Sequence, residues 1–248
     1  AYSLKSLAAD VAAVADALSD EPVTLFGHDW GAPITYTTAL CYPEKIRALA
    51  GMSVPYTPGG EVSMLDLMRM VYAGRFFYIL YFQAEGVVEA EFSQDPMAAL
   101  RKIYYAISGD APDGAFGQDK PEDAKLLDGL IDPDPAPAWL SNDDLAYTVA
   151  GFEKGGYHGA FNRYRALQID HQELAEFRGQ HLTLPTCFIG GERDPVRRFV
   201  PGVDAFANAG MACDDFRGVT IVPGVGHWVQ QEAPAQTNAA LETFLNGL

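Results

Sequence analysis

Val23-Thr24-Leu25-Phe26-Gly27-His28-Asp29-Trp30-Gly31 sets a short apolar run directly before a glycine-flanked pentapeptide centred on an acid. The run reads as a buried strand. Gly27-x-Asp29-x-Gly31 has the small-x-nucleophile-x-small form of a strand-to-helix turn that lifts its central side chain above a sheet. Glycine on both sides answers to a strained backbone with close neighbours. The central residue is Asp rather than Ser, and this changes the chemistry. A carboxylate that attacks an sp3 carbon leaves an ester, whose carbonyl is open to water; a serine doing the same leaves an inert ether. The motif therefore points to a strained ring or an alkyl halide rather than to an ester or peptide. Taken alone, the same pattern also arises where Asp caps the following helix.

Outward from this turn, short apolar runs alternate with helical patterns. Leu4, Leu7, Val11, Val14 and Leu18 recur at helical spacing, so an amphipathic helix precedes the strand Val23–Phe26. Ala32–Leu40 suits a helix. Ile46–Val54, Thr186–Ile189 and Val219–Val222 read as further buried strands, and a last helix runs from Pro234 to Phe244 with Leu241, Phe244 and Leu245 facing inward. Buried strands alternating with helices imply a mostly parallel sheet covered on both faces. Between Pro55 and Leu184 the pattern changes to aromatic-rich helical stretches, Met64–Phe82, Met97–Ile107 and Leu145–Lys154, around a Pro/Gly/Asp-rich loop from Gly109 to Pro137. The organisation expected is an α/β core in two parts, residues 1–56 and 184–248, carrying a helical cap at 57–183.

With 248 residues the chain can bury a sizeable core, and 48% hydrophobic with 20% charged residues is ordinary for a globular protein. No apolar run approaches the ~18–20 residues of a membrane span. The net charge of −16 argues against nucleic acid or an anionic membrane as partner. Half of that charge falls between Ala84 and Leu140, where twelve acids face four bases; a solvated acidic face is the plain reading. Cys41, Cys187 and Cys213 are odd in number, scattered, and lack metal-like spacing, which suits buried fillers and leans towards a reducing, cytoplasmic setting. His158, His171 and His181 show no ligand spacing. No metal and no cofactor are expected.

Two further groups join Asp29. Phe188-Ile189-Gly190-Gly191-Glu192-Arg193-Asp194-Pro195 puts an acid after a buried strand, and Pro223-Gly224-Val225-Gly226-His227-Trp228 puts a histidine after the next. Nucleophile, acid and histidine in this order, each at the carboxyl end of a strand, is the α/β-hydrolase arrangement. Glu192 competes with Asp194 for the acid role. His28, beside the nucleophile, reads as a packing residue pointing away from it.

The run Asp20–Pro55, the Gly27–Gly31 turn and Gly226-His227-Trp228-Val229-Gln230-Gln231-Glu232-Ala233-Pro234 resemble the epoxide hydrolases of the α/β-hydrolase fold. So do Tyr78-Ile79-Leu80-Tyr81-Phe82-Gln83 with Glu85-Gly86, and a second cap segment containing Trp139-Leu140, Gly151-Phe152-Glu153, Gly156-Tyr157-His158-Gly159 and Asn162-Arg163-Tyr164-Arg165. One departure is Ala138, where the family has a proline directly before the tryptophan. The resemblance covers essentially the whole chain. It implies Asp29 as nucleophile, His227 as base, Asp194 as its orienting acid, and Tyr78 and Tyr164 as the pair that binds the leaving oxygen, with Tyr81 the rival for Tyr78. It also implies Trp30 as an oxyanion donor, and Trp30, Phe82 and Trp228 against the substrate. With 12 tyrosines in the chain, spacing alone would not have selected these two.

The implied substrates are an apolar epoxide and water. A haloalkane dehalogenase shares the Asp turn, its following Trp, the histidine and the acid, with Trp30 and Trp139 as halide donors; it is the rival activity. A non-catalytic fold used as a ligand receptor is the rival of another class. The oligomeric state is not fixed by the sequence, and a homodimer is compatible with it. The family's His-Gly-x-Pro loop upstream of the turn has no counterpart here, so roughly 70–100 residues and the first strands are expected to be missing from a longer protein. If Ala1 were the true start, an exposed strand edge, poor solubility and little turnover are expected.

Overall fold

Four strands, β1 (Val23–His28), β2 (Ile46–Met52), β3 (Thr186–Gly191) and β4 (Phe216–Val222), form a parallel sheet in the order β1-β2-β3-β4. The computed structural model describes residues 1–116 and 120–248, so part of the Gly109–Pro137 loop lies outside it. β2 and β3 are buried along nearly their whole length, as central strands of a parallel sheet covered on both faces must be. β1 and β4 lie at the two margins of this sheet, where Phe26 is 40% and Val219 47% exposed.

Helix α1 (Leu4–Leu18) precedes β1, α2 (Gly31–Cys41) joins β1 to β2, and α10 (Val229–Glu232) and α11 (Pro234–Asn246) follow β4. Ser3 caps α1 by accepting from the Ser6 N–H, which satisfies one of the free amides of the first turn. The face that α1 buries is not the Leu/Val stripe of its sequence. Ala8, Ala12 and Ala15 are its buried residues, whereas Val14 and Leu18 are exposed. The alanines let α1 lie close against α2, whose own buried residues include Ala32 and Ala39. In α11, Phe244 is buried with Ala48, Ala50 and Cys187, but Leu245 is exposed and does not face inward. Adjacent helical residues point about 100° apart, and Leu245 falls past the edge of the buried face.

Among the described residues seven α-helices lie between β2 and β3: α3 (Met64–Val71), α4 (Tyr78–Tyr81), α5 (Val87–Phe92), α6 (Pro96–Ala106), α7 (Asn142–Gly155), α8 (His158–Arg165) and α9 (Leu167–Glu173). The stretch Met64–Phe82 is therefore not one helix. It breaks after α3, turns at Gly74 (φ 72°) and pairs Arg75 with Pro121 before α4 begins. These helices share an apolar core that includes Phe82, Val88, Phe92, Leu100, Leu145 and Phe161. Each such side chain contributes about 1.5–3 kcal/mol when fully buried. Among the described residues no helix is long and apolar enough to cross a membrane.

Two of the places where the insertion is fastened to the rest of the chain involve α1 and the loop after β4. The buried Arg163 of α8 pairs with Asp170 of α9, whose other oxygen accepts from the Leu4 N–H at the start of α1, 2.7 Å away. At the second place, the segment after α6 lies against the loop that follows β4, where the Ile107 carbonyl accepts from the His227 N–H at 2.9 Å.

Candidate active site

The β1–α2 turn holds Asp29 in a left-handed conformation, φ 50°, which an L-residue adopts only when its surroundings require it. A Cβ on Gly27 would lie 2.3 Å from the Gly31 carbonyl oxygen, so no side chain fits there. Gly31 is different: a Cβ there meets nothing within 4 Å. The turn thus demands one of its two glycines, not both. Gly27→Ala is expected to destabilise the protein by ~1–3 kcal/mol and to displace Asp29, whereas Gly31→Ala should be tolerated. Thermal unfolding of both variants checks this; equal losses would contradict it.

Asp29, His227 and Asp194 come together from three loops at the carboxyl ends of β1, β4 and β3. His227 Nε2 lies 3.2 Å from Asp29 Oδ2, and its Nδ1 lies 3.0 Å from Asp194 Oδ2. Asp194 also accepts from the Val196 N–H at 2.9 Å, which fixes the carboxylate plane. The Asp194 and His227 side chains are buried, while Asp29 keeps 37% of its surface open to the space above. Burial alone would lower the His227 pKa, but the two flanking carboxylates outweigh it and carry it up to about 10. Burial likewise opposes ionisation of Asp29; the His227 hydrogen bond and charge, with the Trp30 N–H, overcome that and hold its carboxyl below the usual range. The resting site is therefore an imidazolium between two carboxylates.

The backbone of His227 is held as firmly as its ring. Its carbonyl accepts from Ser53 Oγ at 2.6 Å and from His28 Nε2 at 2.8 Å. Since a carbonyl only accepts, His28 carries its proton on Nε2, and burial followed by the nearby His227 keeps its pKa low. His28 does not simply point away: it braces the loop that carries His227. Ser53 is fully buried and left-handed, φ 64°, a conformation that no feature of the sequence announces.

Tyr78 and Tyr164 line one cavity with Asp29 and His227, a space of about 110 Å³ whose other walls are mainly apolar. Their rings meet edge to face, 5.8 Å between centroids, and the Trp30 ring stands edge-on to Tyr164 at 5.3 Å. Burial pushes both phenols above their ordinary pKa, helped at Tyr78 by Tyr164 and then the Asp29 charge and at Tyr164 by the Asp29 charge, so both remain O–H donors. Phe82 packs against both phenols at 5.5 and 4.9 Å. Trp228 lines the same space and stacks on Tyr104 at 4.2 Å, donating its indole N–H to the Tyr104 carbonyl. The Arg163 guanidinium lies 4.5 Å over the Trp30 ring.

The rival residues lie elsewhere. Tyr81 donates its hydroxyl to Glu91 at 2.8 Å and does not line the cavity. Glu192 accepts from the Gly224 N–H at 2.9 Å and makes no contact with the imidazole. The Trp139 indole N–H is engaged by Asp110 at 2.8 Å, outside the cavity. His158, His171 and His181 sit beside Glu89, Arg178 and Asp214 respectively, and no metal-holding group occurs among the described residues. All three cysteines are free, and Cys187 and Cys213 are buried.

Residues 1–234 match the family described as alpha/beta hydrolase fold. The chain is similar to epoxide hydrolase A of Mycobacterium tuberculosis, 35% identical over 256 residues, covering 100% of this chain and 76% of that protein. Among solved structures it is similar to an epoxide hydrolase from an endophytic Streptomyces, with TM-score 0.93 and 36% identity over 99% of this chain and 74% of the other. Epoxide hydrolase I of potato (Solanum tuberosum) is similar with TM-score 0.86 and 30% identity, over 100% of this chain and 77% of that one.

Proposed function

Because the chain belongs to the α/β-hydrolase fold family and, within it, to the epoxide hydrolases, we propose that it converts an apolar epoxide and water to a vicinal diol through an ester on Asp29. The observation that carries this reading is that one carboxylate, Asp29, and two phenols, Tyr78 and Tyr164, line the same mainly apolar cavity. A phenol pair suits an oxygen that departs as an alkoxide. A departing halide would need N–H donors, and the Trp139 indole is already occupied by Asp110. The intact relay from Asp194 through His227 to Asp29 supports an enzyme rather than a receptor. Residues 57–183 act as the cap over a core of 1–56 and 184–248. The free thiols support a cytoplasmic setting.

In the first stage an Asp29 oxygen attacks a ring carbon, the C–O bond breaks, and the ring oxygen takes a proton from Tyr78 or Tyr164. In the second, His227 removes a proton from water, which attacks the ester carbonyl; the Trp30 N–H stabilises the oxyanion, and collapse frees the diol and Asp29. The resting imidazolium must lose its proton between the two stages. Ester formation favours this, since it erases the Asp29 charge that helps hold the His227 pKa up. The released proton replaces the one given by the phenol, so the cycle balances.

The new oxygen of the diol thus comes from Asp29, and water restores the carboxylate. With enzyme in excess over an aryl epoxide in ¹⁸O-water, a single turnover should give unlabelled diol and ¹⁸O in the Asp29 peptide. Label appearing directly in the diol would reject the ester.

The two stages should also differ in pH dependence. Ring opening needs ionised Asp29, whose pKa is lowered, so its rate constant should stay level as pH falls and drop only below about pH 4, the ordinary carboxylate midpoint. Ester hydrolysis needs neutral His227 and should rise with pH, with a midpoint below about 10 because one flanking charge is gone. Stopped-flow tryptophan fluorescence resolves the stages; a shared midpoint would refute the assignment.

A further inference from the structure

We propose that Glu232 is a positioning residue for His227, setting the base by tying the backbone on both of its sides to the end of α6. Glu232 Oε2 accepts from the Gly226 N–H at 3.0 Å and from the Gly109 N–H at 2.7 Å, and Oε1 accepts from the Trp228 N–H at 3.0 Å. Gly226 and Trp228 flank the base, and Gly109 follows α6 in the insertion. The His227 N–H completes the seam by donating to the Ile107 carbonyl.

The two segments meet backbone to backbone. A Cβ on Gly109 would lie 2.0 Å from the Gly224 oxygen, and one on Gly226 would lie 2.3 Å from the Ser108 carbonyl carbon. A glycine at each position lets the chains approach closely enough for one side chain to bridge them. The loop of the orienting acid holds the same segment: Arg193, next to Asp194, donates to the Gly109 and Ala111 carbonyls.

The choice of glutamate follows from the count of donors. Three amides converge on both oxygens, and an ionised carboxylate is the side chain that offers two oxygens as acceptors only. Glutamine would turn an N–H₂ group towards at least one of these amides. Among the described residues Glu232 has no cationic partner, so its place is set by the amides and not by an ion pair. Burial raises its pKa while the three amides oppose this. Displacing His227 matters most to the stage in which it draws a proton from water, because a shift of ~1 Å costs about 100-fold in a positioned reaction.

This inference rests on His227 being the base of the second stage, so the test carries His227→Gln as a reference. Glu232→Gln is expected to slow ester hydrolysis at least tenfold while ring opening stays within twofold, so that the Asp29 ester accumulates in the intact-protein mass during turnover. Glu232→Asp, which keeps both acceptors on a shorter arm, should slow the same stage less. A merely structural role predicts equal slowing of both stages, or a lower melting temperature with no ester, and either result overturns the proposal. Ester in His227→Gln but not in the Glu232 variants overturns it alone; ester in none of them overturns the catalytic reading with it. If Glu232→Gln does not fold, Glu232→Asp is read in the same way. Failure of both to fold marks the residue as structural and also overturns it.

Discussion

Replacing His227 with glutamine is expected to leave an apolar epoxide bonded to Asp29 as a lasting ester, with diol release slowed by about 10²–10⁴-fold, the range of a positioned general base. Ring opening asks nothing of the imidazole except its charge. Asp29 lines the cavity, and the phenols proposed to meet the leaving oxygen line it too. Hydrolysis needs a base within reach of a water at the ester carbonyl, and in the proposed scheme His227, 3.2 Å from Asp29 Oδ2, is that base. The glutamine variant loses the charge that lowers the Asp29 pKa, so its alkylation should shift towards higher pH and not vanish. Asp29→Asn is the control: a neutral amide does not open the ring, and no adduct should form. Intact mass of the His227 variant after mixing with epoxide reads the result. Absence of an adduct on the Asp29 peptide, with binding intact, would remove the two-stage scheme.

Much of this site is legible in the chain because its parts follow strands. Asp29, Asp194 and His227 each come within a few residues of an apolar run, and a parallel sheet carries such positions to one edge. The Gly27–Gly31 turn is legible for the same reason, although only Gly27 is required by space. The tyrosines are another matter. Tyr78 and Tyr81 lie three residues apart on a helix of four, and either hydroxyl suits a donor; the fold sends one to the cavity and the other to Glu91. Only the resemblance distinguishes them beforehand.

The supports of His227 are not legible at all. Ser53, His28 and Ile107 act on its backbone, through contacts between segments 120 to 199 residues apart, and no periodicity encodes a carbonyl's partner. Glu232 stands inside the quoted Gly226–Pro234 stretch, yet its partner Gly109, 123 residues away, reaches it only when the insertion docks. The face of α1 fails for a simpler reason. Hydrophobic periodicity marks Leu and Val, but a close helix pair selects alanine, so Val14 and Leu18 are left outside.

Removing both phenol hydroxyls should abolish ring opening while sparing everything that follows it. Tyr78→Phe and Tyr164→Phe singly are each expected to slow alkylation of Asp29 by about 10–100-fold, since the remaining hydroxyl still meets the leaving oxygen. The double variant should lose more than the product of the two single losses, itself about 10²–10⁴-fold, because no donor then remains and one preorganised donor to a developing oxyanion is typically worth about 10²–10³ in rate. More than additive loss is the signature of two donors serving one atom. Each replacement deletes one oxygen and keeps the ring, so the edge-to-face contacts of Tyr78 with Phe82, and of Tyr164 with Trp30 and Phe82, persist. Stability should accordingly fall by no more than about 0.5–1.5 kcal/mol per hydroxyl, the net worth of one hydrogen bond. Hydrolysis of ester already formed depends on His227 and Asp194, so its rate constant should be unchanged in the single variants. Stopped-flow fluorescence gives the two rate constants separately. A double variant that alkylates at the parental rate would mean that the leaving oxygen is protonated from elsewhere, and the phenols would then be walls of the cavity and nothing more.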